Sequence, residues 1–351
     1  MINSVSINNF KIIKNLENVP LKKITLIGGK NDIGKTTFLE ALFFYLDCNT
    51  REVFEKLLAW RMFSGMWIPQ KTWEKFFSDS DLSNEMKISV NTDRDVDGQV
   101  NVKFLSDYET SVQIPVTDEN KITTLRKNFP SLEILHSSNG SVDYQAHILC
   151  HNTFYYYINE MNQMQGQLSV FYISERMSLH EKNTEYLGIL DKADKQDQIL
   201  PLLKIFEPNL VRLQLINENG NNLIYADFGN KKKIPVNMLG DGFCRCLTMA
   251  LIIASKNADV LLVDEVGSGI HYSSQEALWD FLIKASESYN CQIIATTHSS
   301  DTIKAFSNVI NRKETSDFSY IRLGKSKNEI KPYTFSTDIL SYSLSSELEI
   351  R

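Results

Sequence analysis

The chain has 351 residues, 42% of them hydrophobic, a formal charge of -6 and five cysteines. That is enough to bury one large core, or a core with a second lobe, without disulfides, and the negative balance excludes a protein that coats nucleic acid by neutralising many phosphates. Cys48, Cys150, Cys244, Cys246 and Cys291 show no zinc-type spacing, the start lacks a basic region followed by an apolar stretch, and no apolar run is long enough to cross a bilayer. The expectation is a cytoplasmic protein with no membrane partner.

In chain order, Ser4–Asn9 and Ile24–Ile27 are patterned as short strands, and Lys35–Leu46 is an apolar-faced helix that opens directly out of a glycine loop. Residues 51–77 turn helical and tryptophan-rich, after which Met86–Val90, Gln99–Phe104 and Ser111–Pro115 alternate like antiparallel strands. Residues 51–164 are therefore expected to be an α+β and helical lobe inserted into a head made of residues 1–50 and 165–351. The aspartates at 93, 95 and 97 copy the start of an EF-hand loop, but Phe104 stands where the closing glutamate is required, so Asp97 and Gly98 read as a hairpin turn. Asn152–Met161, Leu187–Leu190 and Gln198–Phe206 are expected helices, and Leu210–Ile216 with Leu223–Phe228 a hairpin across Glu218, Asn219 and Gly220. Lys231, Lys232 and Lys233 read as the solvated tip of another hairpin. From Asp241 a helix to Lys256, a strand Val260–Val263, a helix Ser273–Ser288, a strand Gln292–Ala295 and a helix from Asp301 alternate. The fold class is α/β: a mostly parallel sheet flanked by helices, with an antiparallel β subdomain and the inserted lobe. The tail from Tyr320 reads as a strand pair and a polar helix.

Four motifs carry chemistry. Gly29, Lys30, Asn31, Asp32, Ile33, Gly34, Lys35, Thr36 and Thr37 lie between a strand and a helix, with glycines where the backbone must turn tightly and approach an anion. That is the phosphate loop of an ATP site, in which Lys35 reaches the β- and γ-phosphates and the Thr36 hydroxyl sits on a magnesium ion. Val260–Val263 is a strand buried on both faces, and it delivers Asp264 and Glu265 to the end of the sheet where ligands of such folds bind. Asp264 is placed to hold magnesium, and Glu265 to orient or deprotonate the attacking water. Leu239-Gly240-Asp241-Gly242 breaks the chain and opens a helix whose N-terminus can receive an anion. Finally, Ala295–Ser299 ends a strand in His298, which could reach the γ-phosphate.

The order of these motifs resembles ABC-type ATPase heads. Ile7–Lys11 with Gly28–Thr37 looks like the RecF, SMC and OLD-like branch, and Gly240–Arg245, Val263–His271 and Ala295–Ser299 are similar to OLD-like AAA ATPases classed as AAA15 or AAA21. The resemblance covers residues 1–46 and 236–310 and is faint over the middle. It implies that two heads sandwich two ATP molecules, so that Gly240, Gly242 and Arg245 contact the γ-phosphate of a partner's site and Ser268–His271 crosses the interface of a homodimer or higher even oligomer. The usual metal-contacting glutamine is missing, and Phe171–Arg176 occupies that place with its role open. Some relatives carry a nuclease domain, but the fifty or so residues after His298 hold no clustered carboxylates for two metals. The resemblance therefore implies an ATPase that controls a separate effector, a nuclease, in bacterial antiphage defence. Two alternatives stand beside it: a DNA-repair or chromosome-associated RecF/SMC-like ATPase, for which nucleic acid stays open as a partner, and a nucleotide-gated scaffold with negligible turnover.

Overall fold

A computed structural model describes residues 1–59, 69–93, 97–115, 122–151, 154–174, 180–229, 233–313, 316–327 and 329–346. The chain opens with a hairpin of β1 (Ile2–Phe10) and β2 (Ile13–Pro20), followed by β3 (Ile24–Gly28) and α1 (Lys35–Asp47). Helices α2 (Val53–Ala59) and α3 (Pro69–Trp73) lead into β4 (Met86–Thr92), β5 (Asp97–Pro115), β6 (Ile122–Ser138), β7 (Ser141–His151) and β8 (Phe154–Asn162). Then come β9 (Val170–Ile173), α4 (His180–Lys192), α5 (Leu200–Leu203), and the strands β10 (Arg212–Glu218), β11 (Asn221–Asp227) and β12 (Lys233–Pro235). The last part runs α6 (Asp241–Lys256), β13 (Val260–Val263), α7 (Gln275–Tyr289), β14 (Gln292–Thr296), α8 (Ser300–Lys313), β15 (Phe318–Ser326), β16 (Glu329–Phe335) and α9 (Thr337–Ser345).

One sheet has the order β16-β15-β3-β14-β13-β9, parallel from β15 through β9 with β16 antiparallel at its edge. Strands β3, β13 and β14 are buried on both faces, and the period of two sorts their side chains between two cores. Leu261, Val263, Ile293 and Ala295 join α4, α6, α7 and α8 on one side. Val260, Leu262 and Ile294 join α1 and the second sheet on the other. Helix α1 lies inside this second core: all of Thr37–Leu46 and Lys35 are buried, so the helix is apolar around most of its circumference. The phosphate loop at its N-terminus is thus anchored to an element that cannot tilt without disturbing both layers.

The second sheet is antiparallel, in the order β2-β1-β4-β5-β6-β7-β8. Its β1–β4 ladder, from Ile2↔Thr92 to Asn8↔Lys87, carries the hydrogen bonding straight across residue 50, where the sequence placed the start of the inserted lobe. Two local expectations are corrected. Residues 154–162 form strand β8 and not a helix, because the aromatic run from Phe154 to Tyr157 suits a pleated surface and pairs with β7, from His151↔Phe154 to Tyr144↔Asn162. Asp97 and Gly98 are the first residues of β5, paired with Asn91 and Val90, and the residues that turn the chain before them lie outside those described. The expected β10–β11 hairpin is present, with Asn219 and Gly220 at φ 52° and 85°, the two positive values that a type I′ turn needs. Lys233 opens β12, while Lys231 and Lys232 fall outside the described residues.

Candidate nucleotide site

The site forms at the C-terminal ends of β3, β13 and β14, neighbours in the parallel sheet. Gly29, at φ 148°, and Gly34, at φ 99°, take the two turns of the loop. A Cβ at Gly29 would come within 2.8 Å of the Leu323 carbonyl oxygen, a rigid neighbour, so glycine is required there for space as well as for conformation. Lys30, Asn31 and Asp32 are exposed along the loop, with Asp32 in the left-handed region at φ 59°. No side chain caps α1 and no acidic residue occupies its first turn, so its first N–H groups stand ready for an anion. The Lys35 ammonium folds back and donates to the carbonyls of Gly29 at 3.0 Å and Lys30 at 3.1 Å, with Glu265 Oε1 at 3.8 Å. Burial pushes this lysine below its ordinary range, against the pull of Glu265 and Asp264.

Asp264 leaves β13 directly beneath the loop. The Thr36 hydroxyl donates to its carboxylate at 2.9 and 3.1 Å, and the Thr296 hydroxyl donates to Oδ1 at 2.6 Å. Tyr172 of β9 adds a 3.4 Å hydrogen bond to Oδ2. Burial raises the Asp264 carboxyl above the usual aspartate range, and the Thr296 and Thr36 hydroxyls oppose that rise. Glu265 follows in a left-handed conformation at φ 49°, a strained choice for a residue with a side chain. Three contacts hold it. Its N–H donates to Thr296 Oγ1 at 2.9 Å, Arg245 Nη2 donates to the carbonyls of Asp264 at 2.6 Å and Glu265 at 3.1 Å, and the backbone N–H of His298 donates to Oε2 at 3.1 Å. The His298 ring also touches Oε2 through Nδ1 at 2.8 Å and is otherwise half exposed.

The structure thus brings Lys35, Thr36, Asp264, Glu265 and His298 into one cluster. Arg245, which the resemblance implied as a contact to a partner's γ-phosphate, makes contacts within its own chain. There it clamps the Asp264–Glu265 turn, its single Nη2 donating to two consecutive carbonyls at the strand end. Gly240 and Gly242 stand at the start of α6, Gly240 just before its first residue. Gly242 packs against the loop after Glu265, where a Cβ would stand 3.3 Å from the Gly269 carbonyl oxygen, while nothing lies within 4 Å of the corresponding point on Gly240. The loop 267–270 is pinned from beneath by the buried Gln275 amide, which donates to the carbonyls of Gly267 and Ile270. Phe171–Ile173 is strand β9, which supplies Tyr172; residues 175 and 176 of that segment lie outside those described.

Sequence reasoning missed Thr296, Tyr172 and Gln275. Thr296 sat within the histidine motif, and the signal available was a polar residue in an otherwise apolar strand one position from a histidine end. The hydroxyl of Thr36 and the carboxylate of Asp264 are hard oxygen donors that already meet, so the donor set fits a magnesium ion completed by phosphate oxygens and water.

A glycine loop on a buried helix, an acidic pair at the adjacent strand end and a second glycine-opened helix define a P-loop ATPase head of the ABC type. The head of an Smc protein bound to the C-winged helix domain of ScpA superposes with a TM-score of 0.52 over 95% of this chain and 97% of that one, at 14% identity, which speaks for the fold. The chain belongs to the AAA_21 family: residues 24–303 match its model, an AAA domain whose description ties it to the AbiEii toxin of a type IV TA system. A Helicobacter pylori (strain ATCC 700392 / 26695) protein named ATP/GTP phosphatase is 24% identical over 335 residues, 90% of each chain. A shorter stretch of 133 residues, 36% of this chain and 8% of the other, is 34% identical to ABC transporter A family member 4 of Dictyostelium discoideum. The protein is an ATPase.

Proposed function

We propose that this chain is a magnesium-dependent ATPase subunit that pairs head to head with a second copy on ATP and controls a separate effector, a nuclease, in bacterial antiphage defence. The observation that carries the pairing is the outward-facing signature loop. Gly240 faces open space, α6 has no side-chain cap, and the flanking Met238 and Tyr272 are 73% and 71% exposed. An uncapped helix N-terminus beside bare apolar side chains suits a partner that brings both an anion and a surface, as a second nucleotide-loaded head does. The toxin–antitoxin setting in the family description favours a chain that works with a separate protein.

Within one head, Lys35 must leave the Gly29 and Lys30 carbonyls to meet the phosphates. Glu265 accepts the proton of the attacking water, with Oε2 held by His298 and its backbone fixed by Thr296 and Arg245. Magnesium, when bound by Thr36 and Asp264, supplies the charge that offsets the phosphate oxygens. The test is Glu265→Gln with ATP, followed by light scattering and phosphate release. The variant is expected to hold ATP in a stable dimer without turnover, and wild type to cut no DNA when purified alone. A monomer in every nucleotide state with full turnover would overturn the pairing. Metal-dependent nuclease activity surviving in Lys35→Ala would overturn the division of labour.

A further inference from the structure

A cavity of about 140 Å³ lies between the last turn of α1, the strands β4, β6 and β7, and the segment that follows β8. It is separate from the nucleotide site: Tyr45, on its wall, stands ten residues past Lys35, roughly 15 Å along the helix at 1.5 Å per residue. A cavity of this volume takes up a single six-membered ring. Leu46, Val90, Met164 and Leu168 give it apolar walls. Its polar groups come from β6 and β7, beside the irregularity in their ladder at His136 and Ser137, and a bulge of this kind re-aims the side chains around it. Asp143 accepts from His136 Nδ1 at 2.5 Å and from the Ser138 hydroxyl at 2.5 Å, so both carboxylate oxygens are engaged. With Nδ1–H committed there, Nε2 is the acceptor of the ring, and its hydrogen bond to the Tyr45 hydroxyl is 3.5 Å long, the outer limit for such a bond. Burial raises the Tyr45 hydroxyl above its ordinary range and so keeps it a donor. His136 is 4% exposed and Tyr45 9%. A Cβ at Gly98 would collide with the Tyr45 hydroxyl, so β5 carries glycine where this ring crosses it. The other charged groups along the cavity, the Met1 ammonium and Asp93, pair with each other at 2.7 Å. Each charge that lines it thus already has a partner, while one acceptor and one donor stand too far apart to satisfy each other well. A single oxygen placed between Nε2 and the Tyr45 hydroxyl is within hydrogen-bond reach of both. Water there would serve the two polar atoms and leave the apolar walls bare; a hydroxylated ring serves both.

We propose that this cavity is a ligand site distinct from the nucleotide site, and that it takes a small neutral ring carrying one hydroxyl. The ring lies among Leu46, Val90, Met164 and Leu168, and the hydroxyl donates to His136 Nε2 and accepts from Tyr45. The experiment measures binding of phenol and of benzene by isothermal titration calorimetry to wild type, Tyr45→Phe and Leu168→Phe, with thermal melts and ATP turnover on the same preparations. Benzene has the same ring and lacks the hydroxyl. Two hydrogen bonds in a buried place make wild type bind phenol roughly tenfold tighter than benzene. Tyr45→Phe removes one of them and is expected to weaken phenol roughly fivefold while leaving benzene unchanged. Leu168→Phe, at a half-buried position, is expected to fill the cavity and abolish binding of both, with ATP turnover within about twofold of wild type. Failure of wild type to bind phenol, equal affinity for phenol and benzene, or undiminished phenol binding by a folded Leu168→Phe overturns the proposal.

Discussion

Thr296 is where the site's geometry is most exposed to a single atom. Its hydroxyl donates to Asp264 Oδ1 at 2.6 Å and accepts from the Glu265 N–H at 2.9 Å, and the residue is fully buried at the end of β14. Thr296→Val keeps the shape and removes both hydrogen bonds. A bond to a charged acceptor contributes about 1.5–3 kcal/mol and a neutral one about 1, so the loss comes to about 3 kcal/mol with no cavity term added. In a chain of this size that is a fall in Tm of roughly 5 °C. The effect on turnover is separate. Glu265 sits at φ 49°, a conformation that costs about 1–3 kcal/mol and is held by this bond together with Arg245. Without the bond the carboxylate leaves the line of attack, and kcat falls by roughly 10- to 100-fold while KM for ATP moves little, since the phosphate loop is untouched. Thermal melts and a phosphate-release assay on the same preparation check both parts. A variant that loses the expected stability yet keeps kcat within about twofold would refute the argument that Thr296 positions Glu265.

Arg245→Met removes the clamp on the Asp264 and Glu265 carbonyls from within the same chain. A kcat loss of roughly tenfold is expected, and mixing with a wild-type chain should not restore it, which a mixing titration of activity reads directly. His298→Ala takes one contact from Glu265 Oε2, and kcat is expected to drop roughly 100-fold with ATP affinity within about threefold, measured by single-turnover kinetics against equilibrium binding. Asp264→Asn should abolish turnover yet raise the Tm of the nucleotide-free protein, because burial holds the carboxyl above the ordinary aspartate value of 3.8. The folded state binds more protons than the unfolded one between 3.8 and that raised value, so the penalty is complete above the window and fades as pH falls through it. The advantage of the asparagine in melts should shrink accordingly as pH is lowered toward 4.

The phosphate loop and the acidic strand were legible because each is a local pattern. A buried parallel strand reads as a continuous apolar run, and the residue that ends it is automatically at the ligand edge, which is how Val260–Val263 delivers Asp264. Alternation of strands and helices from Asp241 onward marked that layer as a mostly parallel sheet for the same reason. The course of β8 was harder to read. The run Phe154–Tyr157 has no clean period, and what settles it as a strand is its ladder to β7. Likewise the partner of β1 could not be read from the sequence, because β4 lies beyond α1, α2 and α3 in the chain. Strand pairing between distant segments leaves no mark on either segment alone.

The same distinction explains which site residues could be found. Lys35, Thr36 and Glu265 follow from position within a motif, whereas Arg245 is nineteen residues from the Asp264 carbonyl that it binds, and Tyr172 is ninety-two from the Asp264 carboxylate. The motif containing Arg245 suggested a group aimed out of the chain. The structure shows why it turns inward. An α-helix advances about 100° per residue, so Arg245, three positions past Gly242, returns to the side of the helix on which Gly242 meets Gly269 and Ile270. There the guanidinium finds the two carbonyls of a strained turn, while Gly240, before the helix begins, remains outside. The first turn of α6 is thus divided between two tasks. Its residues inside the helix brace Glu265 from behind, and its exposed end is left for whatever approaches from outside, so a change at Arg245 should alter turnover and a change at Gly240 should alter association.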